Sequence, residues 1–260
     1  MDLLLPVADI AFHKRLGRLL QQIDRASFWG ALTDFLRGHL TFNTWVSMLF
    51  RPAMPPLVLS DQAANLGQTD LFADYMGGLY RLDPYYAFCE RLPEAGVYQL
   101  DEVAPDRFRD TEYFRRYFSL NVVEDEVQFL APLQNVGTVS LSLGSERRFS
   151  QEDIGTLCLF SPWIIALMRH SAAAAAGRLR VDGVHSNVDP LEERLRQRGQ
   201  PQLTEREIEV ATLLLAGHST KGIANKLGIS VETAKVHRRN LYAKLRISTH
   251  AELFLLFTSR

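Results

Sequence analysis

The chain has 260 residues, room for one large or two modest domains at a prior of roughly 150 residues each. With 47% hydrophobic and 23% charged residues, its balance is that of a globular protein and excludes wholesale disorder. The net charge of −1 conceals an asymmetry: from Pro201 onward nine bases face five acids, about +4, while the residues before it sum to about −5. A basic end on an acidic body points to a nucleic-acid partner for that end.

In chain order, the apolar run Leu3–Leu5 is too short for the core of a signal peptide, and Pro6 and Asp9 interrupt the stretch after it. Residues 7–23 and 27–40 carry apolar side chains at helical spacing, with Ser27 placed to cap the second. Residues 44–50 and 57–60 read as strands, with Pro52, Pro55 and Pro56 breaking the chain between them. Helical patterns occupy 70–80 and the residues from Pro84, then come a strand near 97–100 and an amphipathic helix over 105–119, dense in Phe and Tyr. Residues 126–133 and 137–143 alternate as a hairpin. Ser150 and Asp153 then form an approximate capping box for a long helix that runs past Pro162 to the alanines at 172–176. Strands mixed with helices, ending in a hairpin and a covering helix, predict an α+β sandwich of the PAS/GAF kind over residues 1–176. The long helix is the expected dimer and relay element. Residues 177–202 read as a linker with one short helix at 190–198, and 203–260 as a separate domain.

The longest apolar stretch, 157–168, falls short of the roughly 20 residues that span a bilayer, so the expectation is a cytoplasmic protein with no membrane partner. Cys89 and Cys158 read as buried thiols. The seven histidines are scattered, and the chain has no glycine-rich phosphate loop, HExxH or GxSxG. The reading is therefore a non-enzyme without metal or cofactor.

The tail is more specific. Thr204 and Glu207 form a capping box. The helix they open stops near Gly217, and Ser219 or Thr220 caps a second. Gly228-Ile229-Ser230 turns the chain into a third, from Val231 to about Leu245. This is a helix-turn-helix with a longer basic helix. On that helix Ala234, Leu241 and Leu245 form the buried stripe, while Val236, Arg239 and Asn240 point away with Lys235 at the edge, a face able to read guanine acceptors and a thymine methyl in the major groove. Thr220, Lys221, Thr233 and Arg238 lie at the ends and flanks, where phosphate contacts set register.

The stretch LTEREIEVATLLLAGHSTKGIANKLGISVETAKVHRRNLYAKL resembles the DNA-binding domain of the LuxR/FixJ family. The match rests on Leu203-Thr204, Arg206-Glu207, Gly217, Ile223-Ala224, Ile229-Ser230, Thr233, Lys235, His237 and Lys244-Leu245. Gly222 and Ala234 depart from the family's usual Glu and Val. The resemblance implies an all-α four-helix LuxR-type domain and a transcription regulator that binds a roughly two-fold symmetric double-stranded operator as a homodimer. Ala251, Leu253, Phe254, Leu256 and Phe257 of the last helix either face a second copy or complete the monomer's core.

The body is similar in layout, more distantly, to the autoinducer-binding domains of acyl-homoserine-lactone receptors. The shared points are Tyr75, Tyr80, Asp83-Pro84, Tyr113-Phe114, Pro132-Leu133 and Gly137 leading into 140–143. Leu71 stands near their usual Trp and Gln128 near their usual Gly. This resemblance implies a quorum-sensing type of input, with aromatic residues covering a small-molecule effector and Asp83 accepting its amide N–H. From the residues themselves, Asp83 among Tyr75, Tyr80, Tyr85, Tyr86 and Phe88 suits an amide or an ammonium group, and Asp-Pro equally suits an N-cap followed by N1. Trp45 and Phe129 are expected to line one wall and Ser140 to supply a hydroxyl. The alternative is a ligand-free interaction module.

Overall fold

The computed structural model describes residues 9–52, 54–62, 73–122, 124–179, 195 and 203–258. Helix α1 (Ile10–Leu20) starts where Asp9 accepts the Ala11 N–H at 2.8 Å. Helix α2 spans Phe28–Arg37. Ser27 precedes it without capping it: its backbone is already helical, and its hydroxyl donates to Gln22 Oε1 at 2.8 Å instead.

Strands β1 (Thr44–Arg51), β2 (Met54–Asp61), β3 (Gly96–Gln99), β4 (Asp125–Leu133) and β5 (Gly137–Ser145) form one antiparallel sheet, in the order β2-β1-β5-β4-β3. Pro55 and Pro56 lie inside β2 rather than before it, which the sheet tolerates because β2 is an edge strand. Between β2 and β3 come α3 (Ala73–Met76), a 3₁₀ turn at Leu79–Leu82 and α4 (Pro84–Cys89). Only 73–76 of the helix expected over 70–80 is α-helical among the described residues, and Leu71 lies outside them.

After α5 (Leu100–Val103), residues 105–119 do not form the single helix their periodicity predicts. They make a 3₁₀ turn at Phe108–Asp110, a π turn at Phe114–Phe118 and the short α6 (Ser119–Asn121). Thr111 is the cause: its hydroxyl donates to the Phe108 carbonyl at 2.7 Å and accepts the Phe114 N–H at 3.0 Å, ending one turn and capping the next.

Helix α7 (Gln151–Leu179) opens with the reciprocal Ser150–Asp153 box. It passes Pro162 unbroken, because Ser161 Oγ donates at 2.8 Å to the Cys158 carbonyl that proline's missing N–H leaves free. It runs three residues beyond the expected boundary at 176. Cys89 is buried, but Cys158 is exposed on the outer side of α7. The short helix expected at 190–198 lies outside the described residues apart from Leu195, which is buried.

The sheet is covered on both faces. Trp45, Leu49, Val127, Phe129, Ala131, Val139, Leu141 and Leu143 pack against α1, α2 and the Leu157–Ala172 face of α7. The alternate residues Met48, Phe50 and Leu130 pack against the segments between Ala73 and Asn121. The second core continues without interruption into the C-terminal helices α8 (Glu205–Leu215), α9 (Thr220–Leu227), α10 (Val231–Leu245) and α11 (His250–Thr258). Gly217 allows the two parts to meet. It has φ +93°, and a Cβ there would stand 2.7 Å from Phe108 Cα. Its carbonyl accepts the Arg107 N–H at 2.9 Å. Beside it the Asp106 carboxylate accepts the Ser219 N–H at 3.0 Å, and the hydrogen bonds from Ser219 hold Asp106 below the usual carboxylate range.

Candidate nucleic-acid interface and effector site

The helix-turn-helix is built from short-range caps. Thr204 and Glu207 cap α8 reciprocally, Ser219 accepts the Gly222 N–H at 3.1 Å and Ser230 accepts the Thr233 N–H at 3.0 Å. Gly228 ends α9 in the left-handed conformation, φ 63° and ψ 35°, and so sets the tight turn. Two contacts that sequence reasoning missed lock the helices together. Buried Glu207 accepts from Lys244 Nζ at 2.7 Å, tying α8 to the end of α10, and Arg206 donates to the Leu227 carbonyl at 2.8 Å. Burial pushes the Glu207 carboxyl upward, but Lys244 and the Thr204 donors hold it below its ordinary value. His250, in turn, hydrogen-bonds the Leu214 carbonyl at 2.8 Å.

Helix α10 buries Ala234 and Leu241, with Leu245 half-buried. Its opposite face presents Lys235, Val236, Arg239 and Asn240 to solvent, with Val236 42% exposed. Lys235, Val236, Arg238, Arg239 and Tyr242 line an open groove of about 700 Å³. Lys235 is paired with Glu232 at 2.7 Å, and Arg238 reaches Thr220 Oγ1 at 3.4 Å. Lys221 and Thr233 are exposed, and Thr220 is half-buried. Seven of the eight residues expected to meet DNA are therefore exposed on α9 and α10, and Thr220 is half-buried at the start of α9. In α11, Leu253 and Phe254 belong to the monomer's core, Ala251 and Leu256 are half-buried, and the Phe257 side chain lies outside the described residues.

The expected effector residues divide between the two faces of the sheet. Tyr75, Tyr80, Asp83 and Tyr86 are buried on the inner side, the one that continues into the C-terminal helices, and Ser140 faces them from β5. Trp45 and Phe129 are on the other face, against α7, so they do not join that group. The reason is strand parity: Trp45 pairs with Leu143 and Phe129 with Leu141, both one position out of step with Ser140 and Ser142.

Asp83 caps α4, its Oδ1 accepting the Tyr85 N–H at 2.8 Å, while Oδ2 accepts the Tyr75 hydroxyl at 2.6 Å. Burial raises its pKa against the pull of those donors. Tyr75, Tyr117 and Tyr113 stack in series, with ring centroids 5.7 and 5.3 Å apart. Burial first, and then the Asp83 charge, raises all three phenols. Arg81 lies over the Tyr80 and Tyr86 rings and is paired with Glu90 at 3.0 Å.

Opposite the tyrosines runs a buried polar network. Glu126 Oε1 accepts from Ser142 Oγ and from Gln128 Nε2, the latter at 2.7 Å, and Gln128 Oε1 accepts from Ser140 Oγ at 2.6 Å. Burial, with Asp83's charge next, pushes Glu126 from its ordinary 4.5 up to about 8. The signal for Glu126, Gln128 and Ser142 was present in the sequence as polar residues at period two in both hairpin strands.

A family model described as "Bacterial regulatory proteins, luxR family" matches residues 201–257. An HTH-type transcriptional regulator from the exeN 3' region of Aeromonas salmonicida is 32% identical over 182 residues, covering 67% of this chain and 92% of its own length. The transcriptional regulatory protein UhpA of Escherichia coli is 48% identical over 54 residues, 21% of this chain and 28% of that protein. Among solved structures, the VqsR LBD domain from Pseudomonas aeruginosa is similar with a TM-score of 0.60 at 36% identity, covering 64% of this chain and 99% of that one.

Proposed function

The chain belongs to the LuxR family of bacterial regulatory proteins and is a DNA-binding transcriptional regulator. From that premise we propose a cytoplasmic homodimer in which a small-molecule effector, held on the inner face of the N-terminal sheet, sets how two recognition helices meet operator DNA. One observation carries the proposal. The core side of the sheet that adjoins the DNA-binding helices holds Glu126, Gln128, Ser140 and Ser142, with Asp83 at the start of α4, all buried, a density of polar groups that packing alone does not call for. The VqsR domain's likeness to this chain supports the same reading.

In this reading residues 1–176 sense, 177–202 link and 203–260 bind DNA. Arg239, Asn240, Lys235 and Val236 read bases, and Thr220, Lys221, Thr233 and Arg238 hold phosphates. The test uses a duplex selected from a random pool and a mixed-sequence duplex of equal length. Arg239→Ala should lose about 1–3 kcal/mol on the selected duplex and little on the mixed one. Lys221→Ala should weaken both alike and lower the salt slope by about 1. Equal losses on both duplexes from both variants would sink the division of roles.

A second reading, an N-terminal domain that serves only dimerisation, draws on the outer side of α7. Gly155, Cys158, Leu159 and Pro162 are exposed there at helical spacing, Leu159 by 48%. It predicts that no small molecule changes the protein's stability, whereas an effector at about 100 times its dissociation constant adds roughly 2.7 kcal/mol.

A further inference from the structure

A cavity of about 460 Å³ lies where the N-terminal part of the chain meets the DNA-binding helices. Pro84, Ala87, Phe88 and Arg91 line it from one part, and Glu209, Thr212, Leu213 and Ala216 from the other. Both sets fall at i, i+3, i+4 and i+7, so one face of α4 and the turn after it looks across at one face of α8. Tyr85 points another way, its hydroxyl donating to the Glu126 carbonyl at 3.1 Å. His218, and Lys226 and Leu227 at the end of α9, complete the lining with Leu82, Val103 and Pro105. The hydrogen bonds from Ser219 to Asp106 and from Arg107 to Gly217, one residue away from His218 and Pro105, hold the two parts together beside it.

The charges around the cavity are unequally committed. Asp83 accepts from Tyr75 and from the Tyr85 N–H, Glu90 pairs with Arg81 at 3.0 Å, and Glu209 pairs with Arg206 at 2.7 Å. Arg91 and Lys226 are both exposed, and among the described residues neither pairs with a carboxylate. Lys226 Nζ meets His218 Nε2 at 3.4 Å instead. Burial, and then Lys226, pushes His218 down to about 4, so at pH 7 its ring is neutral and accepts from that ammonium. Glu90 also attracts Lys226, but its carboxylate already holds Arg81. Two free cations thus share a cavity whose opposed helix faces are otherwise mostly apolar, at a volume usual for small-molecule sites.

We infer that this cavity is a second ligand site, apart from the inner-face effector site, for a small carboxylate with an apolar body: the carboxylate meets Arg91 and Lys226, and the body packs between the Phe88 face of α4 and the Leu213 face of α8. Such a molecule touches both parts of the chain at once, so its binding favours the docked arrangement over any in which α4 and α8 separate.

The experiment is thermal unfolding and calorimetric titration of the full chain with octanoate and phenylacetate, the neutral octanamide and phenylacetamide, and the cationic octylamine. At least one carboxylate should raise the melting temperature where its amide and the amine do not. Arg91→Gln and Lys226→Gln, both at exposed positions, should remain folded and each weaken that carboxylate about tenfold or more. Lys14→Gln, which removes an exposed charge from α1, should leave its binding unchanged. No stabilisation by either carboxylate overturns the site. An equal response to a carboxylate and its amide overturns the anionic assignment. Carboxylate binding that survives both Arg91→Gln and Lys226→Gln overturns the cavity as its location, and loss of that binding in Ser140→Ala then assigns it to the inner face and leaves the effector reading standing.

Discussion

The two ends of this molecule are held together by contacts of very different range. In the DNA-binding helices the contacts that start each helix are local: Thr204 with Glu207, Ser219 with Gly222 and Ser230 with Thr233 each span three residues, while the ties from Lys244 to Glu207 and from Arg206 to the Leu227 carbonyl described above reach further. On the inner face of the sheet they are distant. Tyr85 donates to the Glu126 carbonyl 41 positions away, Ser142 reaches Glu126 across 16 and Ser140 reaches Gln128 across 12. Local contacts build a rigid shape whose function is to be presented to DNA. Distant contacts build an interior whose polar groups are satisfied only once the whole sheet has formed.

Four substitutions test that difference in range. The largest expected effect is in the local half. Leu241 is fully buried under α10, so Leu241→Ala should cost about 2–5 kcal/mol in chemical denaturation followed by circular dichroism and should abolish DNA binding with it. Next is the pH response of the distant half. Glu126 binds its proton more tightly in the folded protein than in the unfolded chain, so its contribution is fully present below its ordinary 4.5. That contribution is lost as pH rises toward about 8, at no more than roughly 1.4 kcal/mol per unit. Glu126→Gln should flatten the stability profile over that window, and a profile unchanged by the substitution would contradict the buried, protonated carboxyl.

Ser140→Ala should cost about 1–3 kcal/mol, because it leaves Gln128 Oε1 without its donor in the interior. Ser230→Ala, which removes only an exposed cap, should cost about 1 kcal/mol. If the cap proves the more expensive of the two, the inner-face network is not the tightly satisfied one described.

The same difference in range explains how much could be read from the sequence. The caps, the left-handed Gly228 and the buried Ala234–Leu241 stripe all derive from residues within one or two helical turns of each other, and α8, α9 and α10 run where the sequence places them. The strands of the sheet were also legible, because alternation is a local property. Which face each residue serves was not. Trp45 and Phe129 were expected beside Ser140, yet side chains one position out of step in paired strands point in opposite directions, and only the register settles which. The break in 105–119 escaped notice because Thr111 fits a helical pattern, and its hydroxyl ends one turn only by bonding the Phe108 carbonyl. Glu126 escaped because a carboxylate in a strand usually faces water. Its burial depends on Gln128 and Ser142 folding beside it.

In the proposed mechanism the inner face of the sheet governs the helices that read DNA, through the contiguous core and the contacts at Asp106 and Gly217. Coupling of this kind is reciprocal, so an effector that changed DNA binding from the sheet would require DNA to change the sheet in turn. The direct measurement is amide hydrogen exchange of the full chain with and without a saturating duplex. Coupling predicts altered protection in α4 around residues 84–89 and in β4 and β5 around 126–142, as well as in α9 and α10. A change confined to residues 203–258, with the sheet untouched, would contradict it.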